Sequence, residues 1–270
     1  MPQFPDELEK ILAAVADGAL SPSAAVGRLR SGEVRYLDEF AVLDSGRVTR
    51  KGVPEVVYAL NKTPAQVVRI CEALLSSSER VIVSAASEEV TAEIRHSLPD
   101  VPVRSAGRSV VVGPGEPAPS GGRIGAISAG TSDLPVLEEA LAVAREMGAA
   151  VKSFHDVGVA GIHRLAAPLE ELRGFDPDCL IVAAGMEGAL PSVVAGLVSV
   201  PVIGLPTSTG YGLGGGGTAA ILGMLQSCSP GLSVVNVDNG VGAGATAALI
   251  ANRSALGRAG EARQNSAEPG

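Results

Sequence analysis

The second half of the chain alternates between two hydrophobic patterns. Short runs rich in apolar residues and bounded by turn residues are typical of buried strands, and they occur at RIGAIS, AAVKSF, CLIVAA, VPVIGL and LSVVNV. Each run precedes a segment whose apolar residues recur every three or four positions, as in DLPVLEEALAVAREMG, and this spacing predicts an α-helix. Strands that alternate with helices in this way predict a parallel sheet covered on both faces.

The first part of the chain has a mixed pattern. Helical spacing predicts helices over 5–17, 21–30 and 63–75. Farther on, RVIVSA, VPVRS and SVVVG predict strands and SEEVTAEIRHSL predicts a helix, whereas DSGRVTRKGVPEV is predicted to be a loop. We therefore expect a smaller α+β domain before the regular α/β pattern.

Pro, Gly and Ser are concentrated in GPGEPAPSGG at 113–122, which we interpret as a linker. The predicted organisation is an N-terminal helical or α+β domain over 1–118 and an α/β domain over 119–256. The second domain is expected to hold a three-layer, doubly wound parallel sheet of the flavodoxin-like kind. The polar tail over 257–270 is predicted to be disordered.

Charge and cysteine content restrict the class of protein. The net charge of the 270 residues is −8, so a basic nucleic-acid surface is not expected. The N-terminus lacks an apolar signal core, and no apolar segment is long enough to cross a bilayer. The 3 cysteines are widely spaced and form no CxxC motif, as is typical of a reducing compartment. We expect a cytoplasmic protein with neither a nucleic-acid nor a membrane partner.

Small, polar and glycine-rich segments follow all of the predicted parallel strands, namely SAGTSD, HDVGVAG, AGMEGALP, PTSTGYGLGGGGT and NVDNGVGAG. Turns also favour such residues. However, doubly wound sheets bind ligands beyond the carboxyl ends of their strands, so these segments predict one small-molecule site. The glycine-rich segment is neither a Walker loop nor a dinucleotide fingerprint. The candidate binding residues are Ser132, Asp133, His155, Asp156, Gly185, Met186, Glu187, Ser208, Thr209, Gly210, Asn236, Asp238 and Asn239.

One of the cysteines is a candidate nucleophile. Cys71 and Cys179 lie in apolar segments and are interpreted as packing residues, which is a common role of free cysteine. Cys228 lies instead between the end of a predicted helix and a Ser-Pro-Gly turn.

Long segments of the second domain resemble one known family. GTSDLPVLEEA, HDVGVAGIHRL, VAAGMEGALPSVVAGLVSVPVIGLPTSTGYG and VNVDNGVGAGATAA look like the LarB family of pyridinium-3,5-biscarboxylic acid mononucleotide synthases. The resemblance is strong over 121–254, and RKGVPEVVYALNKTPAQV also looks like the family's N-terminal part. The family's C-terminal domain is similar to PurE, the aminoimidazole ribonucleotide carboxylase/mutase.

The resemblance implies a reaction and a set of site residues. Nicotinic acid adenine dinucleotide would be carboxylated at pyridinium C5 by CO2 and its phosphoanhydride hydrolysed to release AMP, as the first step towards the nickel-pincer nucleotide cofactor. Cys228 matches the family's cysteine, and Asp133 and Glu187 would belong to the site, as proton acceptor or as ligands of a divalent cation such as Mg²⁺. The resemblance also implies a homo-octamer.

The implied chemistry explains why a cysteine is needed. A pyridinium ring is electron-poor, so its C5 does not attack CO2 until a nucleophile has added to the ring. A thiolate suits this role because it both adds and leaves well.

Two other functions stay open at this point. A PurE-type carboxymutase has a substrate that is already an enamine and needs no thiol; such enzymes have Ala-His-Leu-Pro where this chain has Gly188-Ala189-Leu190-Pro191. The other is a nucleotide-binding domain without catalysis.

Overall fold

A computed structural model of the protein describes residues 6–31, 35–37, 41–44 and 46–265. The elements of the N-terminal domain are α1 (Asp6–Ala16), α2 (Pro22–Ser31), β1 (Arg35–Leu37), β2 (Ala41–Leu43), α3 (Arg47–Lys51), β3 (Val56–Tyr58), α4 (Pro64–Leu75), β4 (Val81–Ser84), α5 (Glu88–Ser97), β5 (Val103–Ala106) and β6 (Ser109–Val112).

The N-terminal domain is built on a four-stranded sheet with the order β3-β4-β6-β5, in which only the β3–β4 pair is parallel. Its core includes Val67, Cys71 and Leu74 of α4 and Ile94 of α5. Helix α4 begins with a capping box, in which the Thr63 hydroxyl accepts from the Gln66 amide and the Gln66 side chain accepts from the Thr63 amide. The expected smaller α+β domain is therefore present.

The elements of the second domain are β7 (Arg123–Ser128), α6 (Leu134–Glu146), β8 (Ala150–Phe154), α7 (Ala166–Phe175), β9 (Cys179–Ala184), α8 (Leu190–Ala195), β10 (Val202–Pro206), α9 (Thr218–Leu225), β11 (Leu232–Val234) and α10 (Gly240–Asn265). Short 3₁₀ turns lie at Thr131–Asp133, Val159–Leu165 and Gly212–Gly214.

The second domain is the predicted doubly wound sheet. Its strand order is β8-β7-β9-β10-β11 and every pair is parallel. Helices α6 and α10 pack on one face, with Leu137 and Ala247 in the core. Helices α7, α8 and α9 pack on the other face through Leu172, Val194 and Met224. The strand order reverses between β7 and β9, which is where such folds bind their ligands.

The structure corrects the sequence prediction at three places. The segment predicted to be a loop around 44–56 contains α3 and the start of β3, because these elements are too short to show a period. The helix predicted after β8 begins as a 3₁₀ turn over Val159–Leu165. The tail predicted to be disordered is helical as far as Asn265, since α10 continues through Ala, Arg and Glu, which are good helix formers. Residues 266–270 lie outside the described residues.

The predicted linker has no regular secondary structure, yet it is attached to the second domain. The Ser120 amide donates to the Gly148 carbonyl at 2.8 Å, and the Ser120 hydroxyl pairs with Asn252 Oδ1 at 2.6 Å. Apart from the linker, the two domains meet directly along α6, which contacts both β5 and β6.

Candidate active site

The loop after β7 is joined to the end of β10 through a buried carboxylate. Asp133 is only 3% exposed. Its Oδ1 accepts a hydrogen bond from Thr207 Oγ1 at 2.6 Å, and its Oδ2 accepts one from the Gly130 amide at 2.9 Å. The Asp133 carboxylate therefore holds the loop at Gly130 and the Thr207 side chain in place.

A second carboxylate joins the ends of β10 and β11. Asp238 Oδ1 accepts from the Ser208 amide at 2.8 Å, and the Asp238 amide donates to the Pro206 carbonyl at 2.8 Å. The backbone of Asp238 has a positive φ of 56°, a conformation that aspartate tolerates better than most residues. The neighbouring Asn239 caps α10, because its Oδ1 accepts from the Gly242 amide at 2.8 Å.

The loop after β9 is hydrogen-bonded to the loop after β10, which in turn contacts the loop after β7. The Met186 amide donates to the Thr209 carbonyl at 2.8 Å, and the Thr209 hydroxyl donates to the Ser132 carbonyl at 3.3 Å. Both Met186 and Glu187 are exposed. The loops after β7, β9, β10 and β11 thus form one connected rim at the carboxyl edge of the sheet.

His155 and Asp156 follow β8, at the outer side of the same edge, and both are exposed. The Asp156 amide donates to Ser128 Oγ at 3.4 Å. Arg164 Nη1 donates to the Asp156 carbonyl at 2.6 Å and to its Oδ2 at 3.0 Å. This ion pair holds the Arg164 guanidinium against the loop after β8.

Most of the predicted site residues lie at the carboxyl edge of the sheet. Hydrogen bonds directly link the loops that carry Ser132, Asp133, Met186, Ser208, Thr209 and Asp238. Other predicted residues follow strands at the same edge without entering those links, namely His155, Asp156, Gly185, Glu187, Gly210, Asn236 and Asn239.

Cys228 lies at the amino edge of the sheet, where the strands begin, opposite the rim. It follows the C-terminal end of α9 and precedes β11, whose first residue pairs with Val202 at the start of β10. The adjacent Ser229 hydroxyl donates to the Ser192 carbonyl at 2.7 Å, which holds this loop against α8. The five residues of β10 separate the two edges by about 13 Å, and Asp133 lies beyond the far end.

The Glu187 turn packs on α9, the helix that precedes Cys228. Gly223 of α9 packs so closely on the Glu187 turn that an added Cβ would lie 2.3 Å from the Glu187 carbonyl oxygen. Cys228 follows Gly223 by only five positions. The side chain of Glu187 is exposed and not held by the rim's hydrogen bonds that fix Asp133.

The three cysteines differ in their environments. Cys71 and Cys179 are buried, and burial raises the pKa of each thiol to about 12. Both therefore remain protonated at neutral pH and act as core residues, as predicted. Cys228 is exposed. Of the three, it alone has a thiol that is open to a ligand.

The residues do not form a ready metal cage. Within the part of the chain that the structure describes, no group of three or more His, Cys, Asp or Glu side chains is close enough to hold an ion. Both oxygens of Asp133 already accept hydrogen bonds. Mg²⁺ bound by Asp133 and Glu187 stays a prediction of the resemblance, and no step proposed below passes through a metal.

Sequence reasoning missed two residues of the site. Thr207 lies in PTSTGYGLGGGGT, the segment after the predicted strand VPVIGL, so its position was a signal, but its bond to Asp133 was not foreseeable. Arg108 comes from the turn between β5 and β6 of the other domain and contacts both the carbonyl and the carboxylate of Asp238. No pattern in the sequence indicated that contact.

Among the described residues, no helix is long and apolar enough to span a membrane. Two family models match the chain, one described as a LarB/PurE-like N-terminal domain over residues 35–114 and one as AIR carboxylase over residues 123–266. These matches have the order expected from the sequence.

One relative covers nearly the whole chain, and the mutases match about half of it. The chain is 38% identical to an uncharacterized protein of Methanocaldococcus jannaschii over 250 residues, which are 90% of this chain and 96% of that protein. It is 34% identical to the N5-carboxyaminoimidazole ribonucleotide mutase of the same organism over 121 residues, 44% of this chain and 70% of that protein. The mutase of Pyrococcus abyssi is 31% identical over 135 residues, 48% and 71% of the two chains. A PurE-like carboxylase/mutase domain with a LarB-type domain before it places this chain in the LarB family.

Proposed function

We propose that the protein converts nicotinic acid adenine dinucleotide, CO2 and water into pyridinium-3,5-biscarboxylic acid mononucleotide and AMP. The observation that carries this proposal is the exposed thiol of Cys228 in a chain of the LarB family. A carboxylase whose substrate is an enamine has no use for a nucleophilic thiol, whereas a pyridinium substrate requires one.

The chemistry runs through a temporary loss of aromaticity. The Cys228 thiolate adds to C4 of the pyridinium ring, and the ring nitrogen accepts the electron pair to give a neutral dihydropyridine. The C5=C6 enamine then attacks CO2, forming the C5–carboxylate bond and an iminium ion. Removal of the C5 proton restores the enamine, and expulsion of the thiolate from C4 restores the aromatic cation.

Glu187 is the residue that we propose as acceptor of the C5 proton. Its side chain is exposed on the rim, and the hydrogen bonds that engage both oxygens of Asp133 do not involve it. Asp133 is less suited to move protons, because it is buried and both of its oxygens are engaged. We assign Asp133 to holding the rim in shape.

The separation of Cys228 from the rim supports a site shared between subunits. Helix α9 has no charged residue, and only Ala220 and Met224 of its eight residues are buried. Leu222 and Leu225 are 59% and 64% exposed. Because a helix that is apolar all round is normally covered, we propose that a second copy packs here and brings Cys228 of one subunit to the rim of another within a homo-octamer.

The activity is tested by incubating the purified protein with nicotinic acid adenine dinucleotide in CO2-saturated buffer. We expect AMP and a mononucleotide heavier by one carboxyl group, measured by liquid chromatography and mass spectrometry. A parallel reaction contains carboxyaminoimidazole ribonucleotide, the substrate class named for the related mutases. If only the carboxyaminoimidazole ribonucleotide is turned over and no AMP is released from the dinucleotide, the chain belongs to the mutase reaction instead.

A further inference from the structure

A buried carboxylate at the domain junction accepts four hydrogen bonds from three polar side chains. Glu139 of α6 has no exposed surface, and the hydroxyls of Ser84 and Ser109 donate to its Oε1 at 2.6 and 2.7 Å. Arg108 donates to its Oε2 from Nε at 3.0 Å and from Nη2 at 2.8 Å. Burial of a carboxylate is unfavourable unless such partners satisfy it, so the cluster fixes the N-terminal sheet on α6.

The same arginine extends to the active-site rim. Arg108 Nη2 also donates to the Asp238 carbonyl, and its Nη1 lies 4.0 Å from Asp238 Oδ2. Asp238 in turn accepts from the Ser208 amide. A continuous chain of contacts therefore runs from Glu139 through Arg108 and Asp238 to the loop after β10.

Helix α10 begins beside the same cluster. Gly240 lies so close to Glu139 that a Cβ at this position would be 2.7 Å from Glu139 Oε2. The end of the loop after β11 therefore lies directly against the Glu139 cluster.

A second ion-pair cluster at the domain junction provides a comparison. Glu146 lies two turns along α6 from Glu139, on the same face, and its side chain is 7% exposed. It accepts from Arg80 Nε at 2.8 Å and from Arg104 Nη2 at 3.1 Å. These arginines join the domains as Arg108 does, but among the described residues their hydrogen bonds go to Glu146, Glu79 and the Pro114 carbonyl rather than to the rim.

We propose that Arg108 is a positioning residue through which the N-terminal domain sets the geometry of the active-site loops after β10 and β11. The role in catalysis rests on the function proposed above, whereas the mechanical role does not. Arg108 acts through Asp238, and the N-terminal domain is by this account part of the site.

Hydrogen–deuterium exchange of the intact protein tests the mechanical role. Arg108→Gln removes the charge and the forked donor, so the Ser208 and Asp238 amides are expected to exchange at least about tenfold faster, in peptides covering 206–212 and 235–240. Arg80→Gln is the matched control, because it weakens the domain junction without touching the rim. Unchanged exchange in Arg108→Gln, or equal acceleration in Arg80→Gln, would overturn the proposal.

Kinetics with the dinucleotide then test the catalytic consequence. We expect kcat to fall about 100-fold in Arg108→Gln, since small displacements of a site have effects of this size. Arg108→Lys keeps a donor for the Asp238 carbonyl and should recover part of the rate, while Arg80→Gln stays within about twofold of the wild-type kcat. An active enzyme whose kcat is unaffected by Arg108→Gln would contradict the role of Arg108 while leaving the proposed reaction intact.

Discussion

Replacing Cys228 by Ser is expected to lower the rate of carboxylation at least about 1,000-fold, the scale seen when a covalent nucleophile is removed. A serine hydroxyl is almost entirely protonated at neutral pH, and an alkoxide would be a poor leaving group from C4. The ring would therefore stay electron-poor and C5 would not attack CO2. Incorporation of ¹³CO2 into the mononucleotide, followed by mass spectrometry, measures the loss.

The other cysteines provide the control. Cys179→Ser and Cys71→Ser alter buried thiols whose pKa is raised to about 12 by burial, so both variants should retain activity if they fold. Iodoacetamide at pH 8 should alkylate Cys228 alone, because it is the exposed thiol. Equal carboxylation by Cys228→Ser and wild type would refute the nucleophilic role.

The second large effect is recovery of activity when two inactive variants assemble together in the proposed homo-octamer. Cys228→Ser lacks the thiol, and Asp133→Asn alters the rim and should lose about 100-fold in rate. The two residues lie at opposite edges of one sheet, so the shared-site proposal takes them from different subunits. Random assembly of equal amounts leaves about a quarter of the sites with both residues intact.

The experiment uses co-expression of differently tagged variants and purification through both tags. About a quarter of the wild-type rate is expected in the mixed particles, and essentially none when the separately assembled variants are simply combined. Asp238→Asn serves as a second rim variant if Asp133→Asn does not assemble, because Asp238 lies at the same edge. Mixed particles as inactive as their parents would show that Cys228 and the rim act within one chain.

Much of the fold followed from hydrophobic periodicity. The five strands of the second domain are short and rich in apolar residues because helices cover both faces of the sheet. These apolar runs can be recognised in the local sequence without knowing which distant residues are in contact. Strands such as β1, β2 and β3 were missed because three residues cannot display a period. Helix α10 was predicted too short, since its polar last turns gain support from Arg258, which pairs with Asp178 and the Gly121 carbonyl.

Sequence reasoning located only part of the candidate site. The rule that ligands bind beyond the strand ends located the rim, because it depends on strand order alone. The same alternation puts helix-to-strand loops, including that of Cys228, at the opposite edge of a parallel sheet, but the pattern does not show which residues such a loop approaches in the assembled protein. Arg108 was missed because it is 130 positions from Asp238 along the chain.

The mass of the Cys228 peptide during a single turnover tests most directly whether sulfur adds to the pyridinium ring. When CO2 is withheld, the enamine has no electrophile, so the peptide should carry one dinucleotide; that adduct should disappear as labelled product forms after ¹³CO2 is admitted. An enzyme that makes the labelled product on addition of ¹³CO2, although its Cys228 peptide never carried the dinucleotide, would contradict addition of sulfur to the ring before capture of CO2.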